Sequence, residues 1–451
     1  VEKIAMSPLA AAASCLSDST VDAGPRRLLF ANASRKLTHN VFRYPAKFHP
    51  PVARSLVDGF SRPGETVFDP FCGSGTTLVE ALVAGRNAVG TDVDPLAVFI
   101  ASAKVRRYDL ANVATTVDGL TAMLRRMSEA DLALWGPFIG DIPENAFAVA
   151  SGELSAWIPE LPRMNHWFRR RVVLQLAAIR RLVEVHSPSR EFARLCFAAI
   201  IRNASNADPV PVSGLEVTSH MRAKEEAGRS VDPYGLMIAT LRKTSQAVNE
   251  FADHRDGVHR ARVAIADART IDGGTAGRID AVITSPPYLT AVDYYRRHTL
   301  EMYWLGLTAS SRERLKLLPR YIGRDRVSIG AVNVDACSLG ATVARRWRPL
   351  FGELEPYRSR VFVHYCVGIA QSLGRVASLL PDHGKAVVVV GNVRYAGQPV
   401  DMGDLIRDLA PHRLRFAEEL WYPLANRYMS YSRRNDADID SDRVMVFEKR
   451  G

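Results

Sequence analysis

Only five cysteines occur in the 451 residues, at positions 15, 72, 196, 337 and 366. None forms a CxxC pair and no Cys/His ladder surrounds them, which argues against a structural zinc site and a disulfide framework. No metal is expected, and the chain reads as belonging to a reducing cytoplasm. Long apolar runs are also missing. No stretch approaches the ~20 residues that a membrane span needs, so no membrane partner is expected. The small apolar stretch from Pro8 to Cys15 is too short for the apolar region of a secretory signal. Internal repeats are absent. Acidic residues are outnumbered, 48 against 59 Lys plus Arg, for a net charge of +11. A basic soluble protein suits a polyanionic partner. With 47% hydrophobic and 24% charged residues the balance is that of a globular protein, not of a disordered or fibrous one. The length suits two or three domains, or one with large insertions.

Residues 1–37 are rich in Ala and Ser and read as a loose N-terminal arm. Pattern then begins. Thr66-Val67-Phe68-Asp69 is a short strand, followed by a glycine loop and a helix from Thr76 to Ala84. Ala88 to Asp92 is a second strand, and Pro95 to Lys104 a second helix. This order opens a doubly wound α/β sheet. The alternation stops over 110–255, which reads as largely helical, with proline-containing joints near 137–143, 159–162 and 209–211. Strands resume at Arg262–Asp267, Ala281–Thr284, Lys385–Val390 and Arg443–Phe447. The run at 385–390 is almost wholly apolar, as a strand covered on both faces should be. Residues 307–360 interrupt the pattern again and are rich in arginine.

Two motifs stand at strand ends. Asp69-Pro70-Phe71-Cys72-Gly73-Ser74-Gly75-Thr76-Thr77 joins a strand to a helix. Its glycines permit positive φ and close approach of a ligand, and the helix start offers free N–H groups to an anion. Asp92, ending the next strand, can accept hydrogen bonds from ribose hydroxyls. A third glycine is lacking at 78, which argues against a nicotinamide dinucleotide, and the absence of GK[ST] argues against a P-loop. The second motif is Ser285-Pro286-Pro287-Tyr288. Two prolines at a strand end forbid continuation of the ladder. They make a rigid wall that presents a hydroxyl, a carbonyl and an aromatic face to a planar amine. A third cluster, Arg43-Tyr44-Pro45-Ala46-Lys47-Phe48-His49-Pro50, precedes the glycine loop and is uninformative alone.

Taken together and in this order, Lys47-Phe48-His49-Pro50, Asp69 to Thr77 and Ser285 to Tyr288 resemble motifs X, I and IV of the DNA amino-methyltransferases. The resemblance covers roughly 40–108 and 260–306, with a weaker match at 384–397 and 442–450. It implies a Rossmann-like doubly wound methyltransferase sheet carrying a mainly helical insertion, with S-adenosylmethionine as cofactor. The catalytic domain is expected from 38–109, 256–306 and 361–451. By this resemblance Lys47, Phe48, Asp69, Phe71, Gly73, Gly75 and Thr76 lie around the methionine part of the cofactor. Asp92 binds the ribose, and Asp267 and Ala268 lie near the adenine. Ser285, Pro286, Pro287 and Tyr288 form the catalytic motif. The stretch between Asp92 and Asp267 is much longer than in compact family members.

The implied reaction is methyl transfer to the N4 amine of a flipped-out cytosine in double-stranded DNA. The chain would be the modification enzyme of a restriction–modification system, beside an endonuclease that need not bind it. Ser before Pro-Pro resembles the cytosine-N4 group. Adenine-N6 methylation is the alternative, followed by an RNA base methyltransferase and then a non-enzymatic DNA-binding protein on the same scaffold. The Pro-Cys nucleophile of ring-carbon methylation is absent, and Cys72 reads as a small packed residue. The helical insertion at 110–255 is the expected target-recognition region, and the basic insertion at 307–360 a further DNA contact. Phosphate contacts are expected from Arg169, Arg170, Arg171, Arg180 and Arg181, and from Arg345 and Arg346 beside Trp347.

Overall fold

The computed structural model describes residues 25–30, 36–209, 215–289, 293–324, 327, 339–352, 354–424 and 441–451. Residues 1–24 of the expected arm and 328–338 of the basic insertion, with Cys15 and Cys337, lie outside the described residues.

The chain enters through β1 (Arg26–Arg27) and then α1 (Pro50–Phe60). Two prolines open α1, where a missing N–H costs nothing. Next come β2 (Thr66–Asp69), α2 (Thr76–Val83), β3 (Asn87–Asp92) and α3 (Pro95–Val105). Asp94 caps α3, its carboxylate accepting from Leu96 N at 2.8 Å and Ala97 N at 3.4 Å. The helical insertion contributes α4 (Leu110–Trp135), α5 (Arg170–His186), α6 (Arg190–Ala204) and α7 (Pro233–His254). The sheet resumes with β4 (Ala261–Ile265) and β5 (Ala281–Thr284). After α8 (Pro356–Leu379) come β6 (Lys385–Gly391), the hairpin of β7 (Val393–Tyr395) and β8 (Gln398–Val400), and α9 (Met402–Leu409). The long strands β9 (Leu414–Pro423) and β10 (Ser441–Lys449) close the chain.

Eight strands form one sheet in the order β1-β9-β10-β6-β5-β2-β3-β4. Strands β4, β3, β2, β5 and β6 run parallel, and β10 lies antiparallel between β6 and β9. The order runs outward from β2 to β3 and β4 on one side, and from β5 to β6 on the other. Between β2 and β5 lies the switch point, where loops at the strand ends diverge and leave a crevice for ligands. The expected doubly wound α/β fold is therefore present. Arg26–Arg27, within the stretch read as an arm, pairs with Leu420 and Trp421 at the sheet edge.

Strand side chains alternate between two apolar layers. Ala386, Val388 and Val390 pack with Phe362 and Ile369 of α8. Val387 and Val389 face the other way, onto Val52, Leu56 and Leu78. This two-sided burial is why β6 reads as an unbroken apolar run. The insertion builds a third core, in which Leu120, Leu176, Phe197 and Leu241 join Leu96 and Ile100 of α3. Trp304, fully buried, meets Phe168 and Phe197 edge-on at 5.8 and 6.3 Å. The segment just after Ser285–Tyr288 thus belongs to the core of the insertion and ties it to the sheet.

Arg171 ties the start of α5 to the end of α4 within the insertion. It is 5% exposed. Its guanidinium donates to Asp131 Oδ1 at 2.7 Å and to the carbonyls of Pro137 and Gly136 at 2.7 and 2.9 Å. Removing one partner of such a buried pair strands the other charge and costs about 3 kcal/mol. Arg171→Met is expected to lower stability by roughly that amount in urea denaturation. A loss under about 1 kcal/mol would contradict a structural role.

Candidate active site

Two loops leave the C-terminal ends of neighbouring strands β2 and β5 and meet. Asp69, the last residue of β2, is 3% exposed. Its Oδ1 accepts from the Thr284 hydroxyl at 2.6 Å and from Phe71 N at 3.1 Å. Burial pushes its carboxyl up to about 6, against the pull of these hydrogen bonds. Asp69 Oδ1 thus holds the turn into the glycine loop and binds that loop to the end of β5.

Gly73 and Gly75 both have positive φ, 49° and 76°. A Cβ at Gly75 would sit 3.0 Å from the Ala101 methyl, and one at Gly73 would sit 3.3 Å from the Tyr44 ring. Gly73 N donates to Asp92 Oδ2 at 2.9 Å, and Asp94 N donates to Asp92 Oδ1 at 2.9 Å. Burial, then the adjacent Asp94 charge, raises Asp92 to about 7. The Thr76 hydroxyl, in the first turn of α2, is buried with no partner among the described residues. Lys47 Nζ donates to His39 O at 3.0 Å and Asn40 Oδ1 at 2.9 Å, and burial lowers its pKa. Phe48 packs against the apolar layer under α1, and Phe71 lies against the layer of α8. Asp267 accepts from Arg269 Nε and Nη2 at 2.9 and 2.6 Å. Burial acts to raise this carboxyl, but Arg269 outweighs it and holds it below the usual range. Ala268 is buried.

The Ser285–Tyr288 motif follows β5 directly. Pro286 is buried, and Ser285, Pro287 and Tyr288 are half-buried. The Tyr288 phenol contacts the Ser285 hydroxyl and donates to Asp442 Oδ1 at 3.3 Å. The Tyr422 phenol donates to Asp442 Oδ2 at 2.7 Å. Burial and the Asp442 charge push the Tyr288 phenol well up, so it remains a donor. Burial also raises Asp442. Asp442 opens β10 and reaches the motif only through the sheet, 154 residues away in the chain.

His298 and Gly323 lacked any sequence signal, and Tyr44 was legible only as part of the Arg43–Pro50 cluster. His298 Nδ1 meets Asp94 Oδ2 at 2.5 Å, both fully buried. Gly323, with φ 78°, lies so close to the motif that a Cβ there would sit 2.7 Å from the Tyr288 carbonyl. Tyr44 stacks on Tyr294 at 5.8 Å beside Gly73. Cys72 is buried, and burial pushes its thiol well up, consistent with a packed residue.

The arginines divide. Arg169, 7% exposed, donates to Glu225 at 2.5 Å and to Arg229 O at 2.7 Å. Together with Arg171 it serves the fold, so neither is available to phosphate, a correction to the expectation from the Arg169–Arg171 run. Arg170 and Arg180 are half-buried, and Arg180 donates to Trp157 O at 3.0 Å. Arg181 and Arg345 are exposed. Arg346 is exposed and pairs with Asp404 and with Asp408 at 3.1 Å. Among the described residues no helix is long and apolar enough to cross a membrane.

A family model described as DNA methylase matches residues 26–102. The type II methyltransferase M.MvaI of Kocuria varians is 25% identical over 406 residues, covering 85% of this chain and 84% of that protein. M.BsoBI of Geobacillus stearothermophilus, also a type II methyltransferase, is 22% identical over 416 residues, covering 83% and 79%. M.MjaII of Methanocaldococcus jannaschii is 35% identical over 83 residues, 18% of this chain and 16% of that protein.

The Thr284–Asp69 bond has a measurable signature. A buried carboxyl raised from 3.8 to about 6 costs stability in full above pH 6, and the cost fades as pH falls toward 3.8. Loss of the Thr284 donor raises that pKa further. Thr284→Val is therefore expected to destabilise by roughly 1–3 kcal/mol at pH 8 and clearly less at pH 5, in denaturant titrations. A pH-independent difference would contradict this.

Proposed function

We propose that this chain, which is similar to the DNA methylases and type II methyltransferases above, is an S-adenosylmethionine-dependent amino-methyltransferase that methylates the N4 amine of a flipped-out cytosine in double-stranded DNA. It acts in the cytoplasm as the modification enzyme of a restriction–modification system. The observation that carries this reading is the junction of the glycine loop and Ser285–Tyr288 on adjacent strands, joined by Thr284 and Asp69.

The residues present fit the cofactor. Gly73 and Gly75 make a cradle tight against its own neighbours, and the buried Thr76 hydroxyl lacks a partner among the described residues. The first N–H groups of α2 have no intrahelical acceptors and suit a carboxylate. Lys47, Phe48 and Phe71 would flank the methionine end. Asp92 would take the ribose, and Asp267 and Ala268 would lie at the adenine. Bound there, S-adenosylmethionine supplies an electrophilic methyl group.

The amine of cytosine is a poor nucleophile because its lone pair is conjugated with the ring. Ser285 Oγ and the Pro286 carbonyl accept its N–H groups and favour a nitrogen with an available lone pair. The same acceptors stabilise the positive charge that develops on nitrogen. Holding the amine in line supplies most of the acceleration. No strong base is needed beforehand, since the methylated nitrogen is acidic. That nitrogen loses its proton to solvent afterwards, while Tyr288, whose phenol stays protonated beside Asp442, holds Ser285 in place. The Tyr288 ring offers a stacking face to the extruded base. Extrusion costs a few kcal/mol, which backbone contacts offset. Arg170, Arg180, Arg181, Arg345 and Arg346 are the candidates for these contacts. The helical insertion at 110–255 and the segment 307–360 are the proposed target-reading regions.

Mass spectrometry of nucleosides from plasmid DNA of expressing cells is expected to show N4-methylcytosine. N6-methyladenine would overturn the choice of base while keeping the family, and unmodified DNA would overturn the DNA substrate. Ser285→Ala is expected to lower turnover at least about 100-fold with cofactor affinity within twofold of wild type, by single-turnover kinetics and calorimetry. Loss of cofactor binding instead would mean that Ser285 serves the cofactor pocket.

A further inference from the structure

The glycine loop rests on a buried amine that the mechanism does not use. Lys104, near the end of α3, is 1% exposed. Its Nζ donates to the Ser74 carbonyl at 2.7 Å. Ser74 is itself buried, and Gly75 next to it packs on Ala101 one turn earlier in α3. Three other groups face the amine: Lys47, Glu80 and the Cys72 thiol. Glu80 is engaged by His39 Nε2 at 2.7 Å, and Lys47 by His39 O and Asn40. Lys104 therefore has no ion-pair partner within the described residues.

Such a lysine is costly to the fold. Burial, then Lys47, pulls its pKa down to about 7. A methionine could fill the same space without desolvating an amine. What the amine does in return is visible in the loop. Gly75 N donates to Cys72 O at 2.7 Å, closing the turn, and Lys104 draws the Ser74 carbonyl inward. With that carbonyl turned away, the face of the turn toward the crevice is left to the N–H groups at the start of α2. Released, the Ser74 carbonyl could swing outward and set its lone pairs against an arriving carboxylate.

We propose that Lys104 is a positioning residue for the amino-acid end of the cofactor: by holding the Ser74 carbonyl inward it keeps the glycine loop receptive to the methionine carboxylate. This rests on the cofactor reading above. The adenosine end, at Asp92, Asp267 and Ala268, has no hydrogen bond to Lys104 among the described residues; the Lys104 amine donates to Ser74 O.

The test is calorimetric titration of wild type, Lys104→Met and Lys104→Gln with three ligands. These are S-adenosylmethionine, S-adenosylhomocysteine and 5′-methylthioadenosine, which lacks the amino-acid moiety. Lys104→Met is expected to bind the first two at least tenfold more weakly and 5′-methylthioadenosine within twofold of wild type. Its ligand-free melting temperature should be no lower than that of wild type. Lys104→Gln, which keeps a donor of shorter reach, should fall between. An equal loss for all three ligands would mean general collapse of the pocket and overturn the proposal, as would unchanged binding of S-adenosylhomocysteine by Lys104→Met. If wild type bound none of the three, the cofactor reading itself would fall, and the proposal with it.

Discussion

A single hydrogen bond, from the Thr284 hydroxyl to the buried carboxylate of Asp69, joins the two halves of the site. Strands β2 and β5 are parallel neighbours at the place where the strand order reverses. Their following loops must diverge, and nothing in backbone pairing fixes one against the other. Asp69 supplies that link. It is raised in pKa because it is buried, and it is tolerated there because Thr284 and Phe71 N satisfy it. From this fixed point the glycine loop runs toward Asp92 and the Ser285–Tyr288 motif runs toward Asp442. Both loops thereby open onto one crevice.

The polar shell behind these loops follows the same logic. Asp92 is held by Gly73 N and Asp94 N, Asp94 by His298, and Tyr288 by Asp442, which Tyr422 holds in turn. Each buried group is restrained by a partner on a different element. Segments far apart in the chain therefore set the geometry of a few atoms, which is the condition for catalysis by positioning.

The sheet and both motifs were legible in the sequence because they depend on local rules. Strands such as Lys385–Gly391 announce two-sided burial by composition, and glycines at 73 and 75 announce positive φ. The strand Leu414–Pro423 was not legible. It carries charges at Arg415, Glu418 and Glu419, and a bulge opposite Val446 and Phe447 breaks its alternation. Arg169 and Arg171 illustrate the limit of charge counting. A guanidinium spent on Glu225, Asp131 and backbone carbonyls looks, in sequence, the same as one offered to phosphate. Asp442, His298, Gly323 and Lys104 carry no motif at all, since their roles arise only when distant segments meet.

The most direct test of this arrangement is a crystal structure with S-adenosylhomocysteine bound. The amino-acid end is expected over Gly73–Gly75, the ribose hydroxyls at Asp92, and the sulfur facing Ser285–Tyr288, with the Thr284–Asp69 bond intact. Ligand bound away from the crevice between β2 and β5, or a sulfur facing away from Ser285, would contradict it.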